Sequence, residues 1–507
     1  MAFSNMNEFP RLSPKFTALS ALGAFMVGVM FYGLIRYALA GSYLDHAEPE
    51  VVDRAWALLS GHNLYDDVDN VFHSSLIYGP NLFLASAAVM ALFGGSIMAS
   101  KLVVTIAIAS SVAIMAAYIW RAYGFAYLGL AMIVFSSILM TASPFSMWVR
   151  PDPLLVLMVT LPFAAIAIKP EADSHWILAI FTAICIGLAV NLKIHGFIYF
   201  APFVIRYCSN KWYITWPVMA AVAVLAFLVS FTNSGISLEN YYAALTSVTE
   251  TRKIIVSFLP TIFRYGLIFI TPVILAVCIL FIRKKQLPWR ELVYFATLFA
   301  AWGMLVYPAS VAGSGWYHFI PLAPVTVDVL CRLSVQLKTH KIALNSLLAI
   351  FVVAYVIFPI TPQKRIHRNI DNMSWTSDAI AEINKIVSMY PGKTIEMGYG
   401  EDFAETYKHT FVRPVLFFAG HRSTISAMSA MERKYKDEIP PFSKVEHIKR
   451  CKTDVWLIPK DEKPFAMQNY FKPEPAFWPE YMQTFVNSYE KRRSFDFYDV
   501  WQCRDKP

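Results

Sequence analysis

The chain has 507 residues, of which 57% are hydrophobic, 15% aromatic and only 16% charged, with a mean hydropathy of +0.46. That balance excludes a soluble globular protein of this length. The net charge of +9 does not point to nucleic acid, because lysine and arginine in a membrane protein collect in cytoplasmic loops and orient the helices.

The first residues, 1–14, are polar and carry Arg11, and Lys15 follows ahead of a long apolar run without a small-residue cleavage site at a suitable distance. This reads as a retained first helix rather than a removed signal peptide. Runs near the length that crosses about 30 Å of hydrocarbon fall at 16–39, 97–120, 125–142, 154–168, 176–192, 197–205, 212–231, 261–282, 292–307, 319–337 and 342–360. These predict about eleven transmembrane helices. A further apolar stretch at 76–93 is interrupted by Gly79-Pro80, which leaves about 13 helical residues, roughly 20 Å. It reads as a juxtamembrane or re-entrant helix.

The distribution of basic residues tests that topology. With the N-terminus cytoplasmic and 76–93 not crossing, the turns holding Arg121, Lys169, Arg206 with Lys211, Arg283-Lys284-Lys285 with Arg290, and Lys338 with Lys341 share the cytoplasmic side. Asp45, Glu48, Asp152, Lys193, the 233–260 and 313–318 loops and everything after Thr361 then lie on the other face. Counting 76–93 as a span separates Asp45 from Asp152 and sends the most basic loop outward.

Cys185, Cys208, Cys278 and Cys331 sit in or beside spans and read as small apolar residues. Cys451 and Cys503 belong to the polar tail, where they can form a disulfide or remain two buried thiols. The tail, 362–507, has dense charge and no run long enough to span. A helix at 373–389 stops at Pro391-Gly392, and 394–397, 412–418 and 454–458 read as strands. The fold expected is an α-helical polytopic membrane module, 1–361, whose first outer loop is 40–96, followed by a soluble α/β domain, 362–507. The sequon Asn372-Met373-Ser374 is one three-residue match and carries little information.

Carboxylates at a bilayer surface are expensive unless paired, solvated or used. Asp45 and Glu48 lie at the mouth of the first helix, and Asp152 stands in Arg150-Pro151-Asp152 at another boundary. The cations on that face include Arg54, His73, Arg150, Lys193, His195 and His318. Such a face, cut off from cytoplasmic nucleotide sugars, suits a membrane-bound activated donor: a carboxylate takes the proton from an acceptor and cations hold a phosphate leaving group. Capping would explain Asp45 alone, a helix start Asp152 and snorkelling Lys193, but no one of these explains the set. Tyr241, Tyr242, Arg252 and Lys253 are weaker candidates, since mixed polar loops are usually solvated surface.

The string from Asp45 to Tyr65, Tyr78-Gly79-Pro80, the Arg150-Pro151-Asp152-Pro153-Leu154 turn and Asn191-Leu192-Lys193-Ile194-His195-Gly196 resemble the GT-C superfamily of polyprenyl-phosphate-sugar-dependent glycosyltransferases. The nearest branch is that of the aminoarabinose transferases and protein O-mannosyltransferases. The resemblance covers the spans broadly and the first outer loop in detail, and leaves the tail unassigned. It implies Asp45 as general base, Asp152 as the second-loop acid, Lys193 as a donor-phosphate ligand, and looser roles for Arg54 and His73. Two departures stand out: His46 follows Asp45 where the family often has a second acid, so that Glu48 can exchange roles with Asp45, and Ser74-Ser75 follow His73 where prolines are common. The expectation is an extracytoplasmic transferase of a bacterial inner membrane, moving one sugar from a polyprenyl-phosphate donor to a glycan, lipid or protein acceptor. It is expected to be a monomer among membrane lipids, without nucleic acid and with no metal required. A divalent cation remains compatible with three acids on one face. A lipid-linked glycan polymerase or ligase is the alternative, to be separated by a diphosphate donor. A transporter is disfavoured because the spans read as nearly free of internal charge.

Overall fold

The computed structural model describes residues 14–67, 69–74, 76, 78–168, 175–251, 254–282, 287–311, 313–337, 349, 352–402, 407–435, 437–469 and 473–504. The first part is helical: α1 (Pro14–Leu39), α2 (Ala47–Leu59), α3 (Pro80–Phe93), α4 (Ile97–Tyr123), α5 (Phe125–Thr141), α6 (Pro151–Ile168) and α7 (His175–Leu192). After these come α8 (Ala201–Tyr207), α9 (Trp212–Leu228), α10 (Leu238–Thr251), α11 (Leu259–Ile282), α12 (Trp289–Ala309) and α13 (Ala323–Gln336). Among the described residues eight helical segments are long and apolar enough to cross a membrane. The protein is an integral membrane protein.

Two of the eleven expected spans differ, and a third is only partly described. The 125–142 run is α5, with 17 residues, or about 25 Å. The 197–205 run is broken: a 3-10 helix, Ile194–Phe200, passes into the short α8, where Pro202 stands in the first turn and has no N–H to continue a ladder from before it. Residues 342–348, 350 and 351 of the 342–360 run, together with Lys169, Arg252, Lys253, Arg283-Lys284-Lys285, Lys338 and Lys341, lie outside the described residues. The doubtful 76–93 stretch is the 14-residue α3, about 21 Å long, and the 233–260 loop contains α10.

Helices in lipid gain nothing from apolar burial against each other, so close approach and polar contacts decide their pairing. Accordingly α1 and α5 meet through two glycines, and a Cβ on Gly23 would sit 2.7 Å from the Gly129 carbonyl oxygen. The expectation of charge-free spans needs correcting. Lys101 in α4 and Asp328 in α13 are fully buried, and Arg332 follows Asp328 one helical turn on. Each has dedicated partners, the condition under which intramembrane charge is tolerated, and an average over twenty apolar residues conceals one such group.

The tail begins with α14 (Ile360–Asp371) and α15 (Thr376–Met389), continues through β1 (Ile395–Met397), α16 (Pro414–Phe418), α17 (Ala427–Tyr435), α18 (Phe442–Lys449) and β2 (Val455–Pro459), and ends with α19 (Pro479–Ser488), β3 (Tyr489–Ser494) and β4 (Tyr498–Cys503). The sheet order is β1-β2-β4-β3, with β1 and β2 parallel and the other pairs antiparallel. Strand alternation divides the burial: Val455 and Leu457 join the apolar core shared with the helical bundle, while Trp456 and Ile458 belong to a separate tail core around Phe465, Phe477 and Phe485. The strand expected at 412–418 is instead a 3-10 turn, Tyr407–Val412, followed by α16, because Pro414 starts a helix readily. The charged run Glu490-Lys491-Arg492-Arg493 in β3 hid an edge strand, where such charge guards against further pairing. Cys451 and Cys503 form a disulfide. The tail is tied to the bundle by Arg36 with Asp371, and by Gln363 Nε2, which donates to the Ser143 hydroxyl at 3.0 Å.

Candidate active site

The loop after α1 is held by two buried charges. Lys101 Nζ donates to the carbonyl oxygens of Tyr37, Ala40 and Ser42, at 3.1, 2.8 and 2.6 Å, satisfying the acceptors that a helix end leaves open. Glu48 accepts from the backbone N–H groups of Leu44, Asp45 and Val149, at 2.8, 3.0 and 2.7 Å, and from the Tyr37 hydroxyl. Its two oxygens thus take four donors and the side chain is fully buried. That geometry makes Glu48 the clamp between the first loop and the 149–150 turn. Lys101 was missed in the sequence, where it is one charge in a long apolar run.

With Glu48 so placed, Asp45 faces Arg150. Its Oδ2 lies 2.9 Å from Arg150 Nη2 and also accepts from the Ala47 N–H at 3.0 Å, while Oδ1 lies 3.1 Å from His46 Nδ1. Asp45 precedes the N-cap residue of α2, His46, and meets the first N–H of the helix without being its cap. Burial by itself would raise the Asp45 carboxyl, but Arg150, and after it His46, outweigh burial and hold it well below the usual carboxylate range.

Asp152 opens α6 between two prolines, and its Oδ1 lies 2.7 Å from Lys193 Nζ. Its Oδ2 is buried without a hydrogen-bond partner. Lys193 lies over the Tyr317 ring, 5.0 Å from its centroid, and Arg150 over Trp148 at 4.2 Å, so both cations keep an aromatic wall as well as a carboxylate. Tyr78 lies within electrostatic reach of Arg150, Tyr317, Asp152 and Asp45. Arg150 in turn feels both aspartates, which makes it the link between the two ion pairs. His318 Nδ1 and His195 Nε2 are 3.0 Å apart, and burial, with Lys193 beside it, pushes the His195 ring down to about 3. At neutral pH His195 is therefore a neutral hydrogen-bonding group rather than a cation.

Gly79 explains how the loop reaches this place. The Gly79 N–H donates to the Leu192 carbonyl at 3.4 Å, and a Cβ there would sit 1.4 Å from the Asn191 carbonyl oxygen. No residue but glycine permits that approach. Asn191 Oδ1 also accepts from the Asn81 N–H at 2.8 Å. Tyr78-Gly79-Pro80 is thereby docked on Asn191-Leu192-Lys193, two segments more than a hundred residues apart in the chain.

Arg54 and His73 are placed elsewhere. Arg54 stands seven residues into α2 from Ala47, about 10 Å along the helix axis, and lies 3.3 Å from Asp66. His73 Nδ1 meets the Asp66 carbonyl at 3.1 Å, and burial pushes its ring down to about 4. Both line a cleft toward the tail together with Arg413 and Arg422. Tyr241 is buried against Tyr65 and Phe231, and Tyr242 is exposed. Among the described residues no group of three His, Cys, Asp or Glu side chains is arranged to hold a metal ion.

No protein-family model matches the chain, and no curated protein matches it significantly. Solved structures do. ArnT from Cupriavidus metallidurans bound to undecaprenyl phosphate aligns over 98% of this chain and 100% of its own, with a TM-score of 0.53 and 11% sequence identity. The apo form of the same protein aligns over 96% and 98%, with a TM-score of 0.54 and 11% identity. The fold is thus ArnT-like: a polytopic membrane bundle with a C-terminal domain.

Proposed function

We propose that the protein is a membrane glycosyltransferase that moves one sugar from a polyprenyl-phosphate donor to an acceptor on the extracytoplasmic side, at the bacterial inner membrane, with Asp45 as general base. The observation that carries this reading is the pair of aspartates joined through Arg150, each held by its own cation at one end of the bundle. The fold adds weight, since its ArnT counterpart is a structure bound to undecaprenyl phosphate. A protein made of a membrane module, 1–361, and an extracytoplasmic domain, 362–507, fits the same reading.

In the proposed reaction the acceptor's O–H or N–H attacks the anomeric carbon, and the bond from that carbon to the phosphate oxygen breaks with inversion. The proton passes to Asp45 and the polyprenyl phosphate leaves with its charge on Arg150 and Lys193. A carboxylate clamped by Arg150 is a weak base, whereas a good base has a pKa nearer the working pH. A donor phosphate competing for Arg150 relieves that clamp, so that Asp45 becomes basic when the donor is present. Asp152 plays the matching part for Lys193, Glu48 orients the loop, and His195, His318 and Tyr78 offer hydrogen bonds at the rim.

The test is purified protein supplied with polyprenyl-phosphate sugars and extracted envelope acceptors, with products read by mass spectrometry. Transfer is expected from the unaltered chain and not from Asp45→Asn. Full transfer by Asp45→Asn, or turnover confined to diphosphate-linked glycans, overturns the reading.

A further inference from the structure

We infer that the cleft between α2 and the tail is a second binding site, built for a phosphate group and separate from the Asp45–Lys193 centre. The cleft is open to solvent and spans about 450 Å³ between Asp53 and Arg54 of α2, His73, Arg413, Arg422 and the 423–426 segment. A recess of about 380 Å³ continues it past His73 to Arg433 and Lys444.

Charge is uneven on these walls. They carry five cations, Arg54, Arg413, Arg422, Arg433 and Lys444, against two carboxylates, Glu50 and Asp53. Three of the cations are held: Arg54 by Asp66, Arg413 by Asp53 at 3.0 Å and Arg433 by Glu438 at 2.9 Å. Arg422 and Lys444 have no carboxylate partner among the described residues. Arg422 lies on the face of Phe72, 3.6 Å from the ring centroid, and Lys444 Nζ donates to the carbonyl oxygens of His73 at 3.2 Å and Thr424 at 2.8 Å. The remaining carboxylates nearby are occupied: Glu50 accepts from the Ser426 hydroxyl at 2.6 Å, and Glu396 from the N–H and hydroxyl of Thr424 and the hydroxyl of Thr453. Burial, and after it the charges of Arg54 and Arg433, pushes Lys444 down to about 7 against the opposing pull of Glu396 and Glu50.

Two half-buried cations with no carboxylate in contact gain from an anion that joins them. A guanidinium fork and an ammonium drawn from different elements are a common cradle for phosphate. A phosphate offers three oxygens to be shared between the two cations, whereas a carboxylate offers two. The site stands on this geometry alone. Its use rests on the transferase reading above: the cleft is lined by α2, the helix that begins beside Asp45, so the acceptor would carry a phosphate in addition to the group that receives the sugar.

The experiment is calorimetric titration of the full chain in detergent with inorganic phosphate, and separately with micelles containing phosphatidic acid, against phosphatidylcholine micelles as the blank. Saturable binding is expected, with a component that is weakened at least tenfold by Arg422→Gln and by Lys444→Gln, kept in part by Arg422→Lys, and still present in Lys193→Gln, which removes only the component at the donor-phosphate site. Tighter binding of the phosphatidic acid micelles identifies a lipid-borne phosphate, and equal binding a phosphate recognised without its lipid. Thermal unfolding of each variant checks its fold, and Arg422→Lys gives the reading if the glutamine variants do not fold. Absence of saturable binding, or binding lost with Lys193→Gln and retained with Arg422→Gln, overturns the inference. Transfer lost in Asp45→Asn while phosphate binding persists separates this site from the reacting centre.

Discussion

Helix α4 connects two buried charge clusters with opposite accounting. Near its start Lys101 supports the loop that carries Asp45. Tyr118, 17 residues on and so about 25 Å away along the axis, donates to Asp328. There Oδ1 accepts from Tyr118 at 2.6 Å and from Tyr123, and Oδ2 from Tyr294 at 2.8 Å, Tyr207 at 3.2 Å and Arg332 Nε at 3.0 Å. Both oxygens are spent, and the cluster staples α4, α8, α12 and α13 together. At the other end Asp152 keeps one oxygen without a donor, and Asp45 shares its oxygens among groups that a ligand can displace. A fully satisfied buried carboxylate is architecture; one with capacity left over is available for chemistry.

That contrast makes activity and stability separable. The largest expected effect is on transfer: Asp45→Asn should lower kcat by about 10²–10⁴-fold, the range for a general base, with a much smaller change in unfolding temperature than any loss at Asp328. A variant that retains its rate would erase the distinction from the active side. Asp328→Ala should do the reverse, costing about 3–5 kcal/mol through the stranded Arg332 and tyrosine hydroxyls, read as loss of folded protein in detergent. Arg150→Gln should weaken donor binding by about tenfold to a hundredfold. Because Arg150 holds the Asp45 carboxyl down while burial pushes it up, its removal should also move the acid limb of kcat/KM to higher pH; an unmoved limb would disconnect Arg150 from Asp45. A comparable effect, on stability first, belongs to Gly79→Ala, where the new methyl group meets the Asn191 carbonyl. The cost should be about 1–3 kcal/mol, with donor affinity falling as the loop lifts from Lys193.

Much of the layout was readable from local signals. Long apolar runs identify spans, two prolines around Asp152 announce a helix start, and Gly79-Pro80 marks where α3 begins. Other features left weaker traces or none. Lys101 and Asp328 are single charges within apolar windows, the charges of β3 masked its pairing, and Pro414 turned an apolar run into helix. Arg54 and His73 share a loop with Asp45, yet the direction of α2 carries them toward the tail and away from Arg150.

By itself, the chain determined that it enters a membrane, because removing so many apolar residues from water leaves no other stable outcome. It also set the types of charge available near each boundary. Only tertiary structure decided which acid meets which cation, because an ion pair depends on a few ångströms between segments that are a hundred residues apart. That choice made Glu48 a clamp, Asp45 and Asp152 paired but displaceable, and Arg422 and Lys444 neighbours in a cleft that neither local sequence announces.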